Sequence, residues 1–159
     1  MHPEILSITL FGIVAAFTPG PNNFVAFYSG FNFGIKRTLP HIMGVSFGFP
    51  FLLLCVALGL VNIFKLYPLI QLVLKYLGTI FLIYLAYKIS FSGSENQESK
   101  SKNPVKFIET FIFQFLNPKA VIASVIVVST YINAGENFVN YTTQIIILAL
   151  LVSVTSITL

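Results

Sequence analysis

Most charged residues of this chain fall into a few short stretches, and long apolar runs lie between those stretches. Charged residues make up only 9% of the 159 positions, whereas soluble domains carry about 25%. Five apolar runs can be traced, at Ile5–Tyr28, Leu39–Val61, Leu69–Phe91, Phe107–Tyr131 and Tyr141–Leu159. Each is close to the roughly 20 residues with which an α-helix crosses a bilayer. The pattern predicts an all-α membrane protein, a bundle of five transmembrane helices in a single transmembrane domain over residues 1–159.

Proline interrupts two of these runs near their middle. The first run contains a Pro-Gly-Pro motif at Pro19–Pro21, and the fourth contains an Asn-Pro-Lys motif at Asn117–Lys119. Because proline has no backbone N–H and clashes with the carbonyl group four residues earlier, both motifs should break their helices. In a bilayer, the backbone groups freed by a break are tolerated only where protein or a watery cavity receives them. Both breaks are therefore expected to face the interior of the bundle.

The two breaks occupy corresponding positions in two halves of the chain. Residues 1–91 hold three runs, residues 92–106 form a polar loop that includes the sequence SGSENQESKSKN, and residues 107–159 hold two runs. Since three helices precede the loop, the second half would enter the membrane from the opposite side and form an inverted repeat. Matching interruptions in two such halves favour a transporter with a substrate site near the bilayer midplane. Two unrelated proline kinks in a helical bundle are the alternative.

Lysine and arginine residues between the runs predict the orientation of the chain. If the N-terminus is outside, the loops on the outer side contain one basic residue, Lys65. The cytoplasmic side then contains six: Lys36, Arg37, Lys88, Lys100, Lys102 and Lys106. Because positive residues concentrate in cytoplasmic loops, this arrangement is the favoured one. It places the loop 92–106 in the cytoplasm and the loop 133–140 outside.

The residues at the two breaks are the candidate substrate-binding residues. They are Pro19, Gly20, Pro21, Asn22, Asn23, Asn117, Pro118 and Lys119. A half-helix N-terminus and a lysine can together hold an anionic group. A charge in the middle of a span costs about 2.5–3.5 kcal/mol, so Lys119 should either bind substrate or find a structural partner, such as a carbonyl group at the end of a half-helix. The asparagines could equally cap the broken helix ends.

Three glycines are expected at helix contacts. Gly44 and Gly48 form a G-x-x-x-G pair in the second run, which favours close packing of membrane helices, and Gly78 lies in the third run. His41 lies near the start of the second run, where a histidine is more typical of the membrane interface than of a proton relay.

The break motifs belong to a longer series of motifs between residues 11 and 131. The series comprises Phe17–Asn22 followed by Gly34, the pair Gly44 and Gly48, Tyr76–Gly78 with Tyr87 and Lys88, and Phe115–Ala120. In order and spacing it resembles the LysE/RhtB amino-acid exporters. The resemblance implies export of amino acids or their derivatives across the cytoplasmic membrane, driven by the proton gradient. It also implies a six-helix family fold, whereas this sequence stops in the fifth helix, so that either the gene product is truncated or the sequence is a fragment of a longer one. Where the family often carries an acidic residue, this chain has Phe49.

Other functional classes fit the composition less well. Cys55 is the single cysteine, which excludes a dithiol carrier, and the chain has two histidines and no aspartate with which to build a membrane enzyme or a metal site. We therefore expect no enzymatic activity, no cofactor, no metal and no nucleic-acid partner. The expected partners are a small-molecule substrate and the lipid bilayer, and the sequence leaves a homo-oligomer open. The rival function is a non-transporting membrane bundle, or an inactive truncated paralogue, with a structural or interaction role.

Overall fold

The computed structural model of the chain describes residues 3–60, 62, 66–90, 105–132 and 138–158. Within these residues the backbone forms seven α-helices and no β-strand: α1 Ile5–Phe17, α2 Pro21–Phe33, α3 Ile35–Cys55, α4 Pro68–Ser90, α5 Phe107–Leu116, α6 Pro118–Tyr131 and α7 Phe138–Thr158. A π-helical turn, Val56–Leu60, extends α3. The predicted all-α bundle is confirmed. Lys65, the polar segment 92–103 and residues 133–137 of the last loop lie outside the described residues.

The apolar helices follow the order of the predicted runs. α3 with its π turn and α7 are each long and apolar enough to cross a membrane, and α4 is a further apolar helix. The other two candidate spans are helix pairs that bend at a break, by 56° between α1 and α2 and by 62° between α5 and α6. Both predicted breaks are therefore confirmed. Pro21 and Pro118 each occupy the first turn of the helix that follows the break. Backbone N–H groups in a first turn have no hydrogen-bond partner within the helix, so the helix loses nothing by having proline there.

The start of α3 differs from the prediction. The helix begins at Ile35 rather than Leu39, so Lys36 and Arg37 lie exposed in its first turn and not in a loop. The reason is Gly34, which ends α2 and precedes α3 with a φ of 75°, a conformation that suits glycine. A single residue thus joins the two helices. The last helix likewise begins at Phe138, within the predicted loop 133–140.

The half-helix α5 packs closely against α3 and α4. A Cβ atom added at Gly44 of α3 would lie 2.6 Å from Thr110 Cβ, and one added at Gly48 would lie 2.8 Å from Gln114 Cγ. A Cβ atom added at Gly78 of α4 would collide with the carbonyl oxygen of Leu116. Because lipid provides no hydrophobic drive for helix association, membrane helices depend on such close contacts. The three glycines therefore hold α5 between α3 and α4.

Candidate functional site at the helix breaks

The two helix breaks lie against each other, as the sequence predicts. Lys119, in the first turn of α6, reaches across to the other break and donates a hydrogen bond from Nζ to the carbonyl oxygen of Thr18. Gly20 leaves room for the lysine stem, since a Cβ atom at this position would lie 3.1 Å from Lys119 Cδ and 3.2 Å from Nζ. Thr18 caps the C-terminus of α1. The ammonium group of Lys119 therefore has the structural partner anticipated for it, a carbonyl group at the end of a half-helix.

Two of the candidate asparagines cap the broken helices. Asn23 Nδ2 donates to the carbonyl oxygens of Ala16 and Thr18, at 3.1 and 3.4 Å, and so satisfies the C-terminal end of α1. Asn117 Oδ1 accepts from the backbone N–H of Lys119 at 3.1 Å and caps α6. The N-terminus of α2 has no such cap, because Gly20 precedes it. The first-turn N–H groups of α2 therefore lack a side-chain acceptor at their cap position.

The third asparagine forms a hydrogen bond between the two halves of the sequence. Asn22 Nδ2 donates to Gln114 Oε1 at 2.9 Å, and Gln114 Nε2 donates to the carbonyl oxygen of Thr110 at 2.9 Å. Gln114 is only 1% exposed. The sequence analysis missed this residue, although an amide four residues after Thr110 in an otherwise apolar stretch indicates a polar face on α5.

His41 is enclosed by the helices of the bundle. The side chain is 2% exposed. Its Nε2 lies 3.1 Å from the carbonyl oxygen of Asn22, and its Nδ1 lies 2.9 Å from Thr110 Oγ1. The physical reason is helical spacing, since His41 precedes Gly44 and Gly48 by three and seven residues and shares their side of α3. That side faces α5.

A cavity of about 110 Å³ opens beside the two breaks. Most of its polar lining lies at the breaks and comprises Asn22, Asn23, Gln114 and Lys119. Most of the remaining wall is apolar and includes Phe11, Phe49, Leu53, Val127 and Ile145. Since about 10–15 Å³ of such space holds one water molecule, the cavity has room for a small solute. None of the described residues that line it is acidic.

Comparison with known proteins assigns this chain to a family. Residues 13–158 match the family described as LysE type translocator. The chain belongs to this family. It is 29% identical to the cysteine/O-acetylserine efflux protein of Salmonella typhimurium strain LT2 over 154 residues, which cover 96% of this chain and 78% of the relative. The corresponding Escherichia coli K12 protein is 30% identical over 134 residues, which cover 83% of this chain and 68% of the relative. No solved structure matches the chain.

Membership among the LysE type translocators settles the broad class of the protein. It is a multi-pass protein of the cytoplasmic membrane, and the family is one of transporters rather than of enzymes. The names of its relatives support amino-acid export as the class of function.

Only some of the residues predicted to bind substrate line the cavity of this LysE type translocator. The members of that set that line it are Gly20, Pro21, Asn22, Asn23 and Lys119. Asn117 is buried as a helix cap, and Pro118 is exposed on a separate groove between α6 and α4. Pro19 is also exposed. These three residues shape the breaks but do not face the cavity. Phe49 lines the cavity at the position where the family often carries an acid.

Proposed function

We propose that this LysE type translocator exports small neutral amino acids, or derivatives such as O-acetylserine, from the cytoplasm in exchange for protons. Its relatives are named for the efflux of cysteine and O-acetylserine, which are small and carry no net side-chain charge. The observation that carries the proposal is Lys119, a lysine at the polar end of an otherwise apolar cavity, beside the uncapped N-terminus of α2. This arrangement suits the carboxylate of an α-amino acid.

The carboxylate is held between the first turn of α2 and the ammonium group of Lys119. An ammonium group has three N–H donors, and one of them is directed at Thr18. The N-terminus of a helix carries a partial positive charge, so both groups attract the same anion. Away from bulk water, such attractions are stronger than at a wet surface. Because the two breaks lie against each other, the N-terminus of α2 and the ammonium group of Lys119 are close enough to act on one carboxylate.

The amino group of the substrate is held at the other side of the same break. The C-terminus of α1 presents carbonyl groups and a partial negative charge, and Thr18 contributes one of these carbonyls. A carboxylate that draws Lys119 away would release one of the two hydrogen bonds that the Thr18 carbonyl accepts, the other coming from Asn23, and make that position available to the substrate's ammonium group. A broken helix thus offers two partial charges of opposite sign, and an α-amino acid carries two charges of opposite sign. The apolar wall around Phe49 and Leu53 then receives a neutral side chain.

The two halves are related by a pseudo-two-fold axis in the membrane plane, with the N-terminus outside. The similar bends of 56° and 62° support this relation, because inverted repeats place their broken helices opposite each other. Residues 1–91 and 107–159 are then parts of the two repeats. Movement of one repeat against the other would expose the cavity to each side in turn.

Export from cells tests the proposal. The chain is expressed in a bacterial strain that lacks its own exporters of this class, and amino acids in the medium are quantified by mass spectrometry, with L-cysteine and O-acetyl-L-serine as reference compounds. We expect Lys119→Met to abolish export, because it keeps the length of the side chain and removes the charge. Lys75→Met is the matched control, since Lys75 lies exposed on α4 and does not line the cavity.

The comparison is made at equal membrane abundance of each variant. Export by Lys119→Met equal to that of the parent would remove Lys119 from the site and contradict the carboxylate model. No export by the parent chain for any amino acid would favour the rival function, a non-transporting bundle.

A further inference from the structure

A buried polar cluster lies next to the cavity but extends beyond it. It consists of Asn22 on α2, His41 on α3, and Thr110 and Gln114 on α5. Only Asn22 and Gln114 line the cavity. We propose that His41 is the residue that carries the coupling proton during transport. This inference rests on the proton-coupled export proposed above.

The hydrogen bonds of His41 permit two protonation states. A carbonyl oxygen only accepts, so in the neutral ring Nε2 donates to Asn22 and Nδ1 accepts from the hydroxyl group of Thr110. In the protonated ring Nδ1 donates to Thr110 Oγ1 instead. The hydroxyl hydrogen can then turn to the carbonyl oxygen of Lys106, which lies 3.3 Å from Thr110 Oγ1. When Nδ1 takes a proton from water or releases one to it, the Thr110 hydroxyl group rotates, and both ring nitrogens keep a partner.

The proton site and the substrate site share structural elements. Asn22 accepts from His41 through its backbone carbonyl, and its side chain bonds to Gln114 at the wall of the cavity. Gln114 in turn donates to the backbone carbonyl of Thr110, the other partner of His41. A change in the charge of His41 therefore acts directly on the first turn of α2 and on α5. The first turn of α2 is the proposed binding site of the substrate carboxylate.

Few other titratable groups lie on α3 or on the helices packed against it. They are Lys36, Arg37 and Cys55 on α3, Tyr28 on α2, Lys106 and Glu109 at the start of α5, Lys119 and Tyr131 on α6, and Tyr141 on α7. Lys36, Arg37 and Lys106 are exposed. The Glu109 carboxylate accepts from the backbone N–H of Lys106 at the N-terminus of α5. Histidine is the side chain in this group whose ordinary titration falls near neutral pH.

Two transport modes of one preparation test the proposal. The purified chain is reconstituted into vesicles, and labelled L-cysteine is supplied outside under reducing conditions. Exchange is measured with unlabelled L-cysteine inside and equal pH on both sides, which requires substrate translocation but no net proton movement. Coupled uptake is measured in acid-loaded vesicles placed in alkaline buffer, where proton exit drives accumulation. We expect His41→Gln to retain exchange and to lose accumulation driven by the pH gradient, because the amide keeps hydrogen-bonding atoms and does not titrate.

A control variant separates proton coupling from folding. Ser46→Ala changes another buried polar residue of α3 that lies outside the cluster, and it should retain both modes. Gradient-driven accumulation by His41→Gln at the level of the parent would overturn the proposal, as would loss of exchange together with accumulation, since that result indicates a structural role. A parent that exchanges without responding to the pH gradient would also overturn it. A parent without exchange would instead remove the proposed transport of L-cysteine, and this inference with it.

Discussion

Replacement of Gly44 by alanine tests the close approach of α3 and α5, on which the buried polar cluster depends. The added Cβ atom would lie 2.6 Å from Thr110 Cβ and 2.8 Å from the carbonyl oxygen of Phe107. Side-chain rotation moves neither atom, because both are fixed to the backbone of α5. Carbon atoms pack at about 3.5–4.0 Å, so the two helices would have to separate by roughly 1 Å.

A separation of this size has a calculable effect on stability. The distance between His41 Nδ1 and Thr110 Oγ1 is 2.9 Å. If the helices separate by about 1 Å, this distance becomes longer than the roughly 3.2 Å limit of a good hydrogen bond. Overpacking costs about 1–3 kcal/mol, and loss of an interhelical hydrogen bond in a membrane protein costs about 0.6 kcal/mol more. We therefore expect a loss of about 1.6–3.6 kcal/mol in the free energy of unfolding.

Gly30→Ala is the matched control, because a Cβ atom at this position of α2 would meet nothing within 4 Å. Both substitutions change the intrinsic helix propensity in the same direction, so this contribution cancels in their comparison. The purified variants are unfolded by SDS titration in mixed micelles and followed by circular dichroism. Equal free energies of unfolding for Gly44→Ala and Gly30→Ala would refute the close contact between α3 and α5.

Two predictions concern the orientation of the chain and the cap of α6. Single cysteines introduced at Ser99 and Asn137 in a Cys55→Ala background should be labelled by an impermeant thiol reagent in intact cells at Asn137 only, because positive loops remain in the cytoplasm; labelling at Ser99 alone would reverse the orientation. Asn117→Ala should lower the free energy of unfolding by about 1 kcal/mol, because the backbone N–H of Lys119 loses its cap; an unchanged SDS titration curve would contradict this role.

The features that could be predicted from the sequence are those with local causes. Apolar runs indicate membrane helices, and a proline that begins a new helix needs only its own geometry and a nearby cap. Proline alone is not a sufficient signal, however, because Pro40 and Pro50 lie inside α3, which remains helical from Ile35 to Cys55. At Pro118 the preceding Asn117 caps the new helix, and this local chemistry accompanies the break.

The features that sequence analysis missed depend on contacts between distant parts of the chain. Gln114 and Asn22 are 92 positions apart, and His41 and Thr110 are 69 positions apart. Their burial follows from the glycine face of α3, which brings α5 close enough for side-chain hydrogen bonds. Neither helical periodicity nor residue type indicates which neighbour a lone polar side chain will meet. The polar face of α5 could be recognised from the sequence, but its partners could not.

The contact between Lys119 and Thr18 also bears on how the bundle remains sealed. A polar gap between half-helices is a weak point in a membrane, because water entering it could conduct small ions. An ammonium group beside the positive end of a half-helix repels cations, as such groups do in water-selective pores. If the zwitterionic substrate passes through this gap, as proposed above, Lys119 would place an electrostatic barrier there, and the barrier would oppose the leakage of hydronium and sodium ions that dissipates the membrane potential.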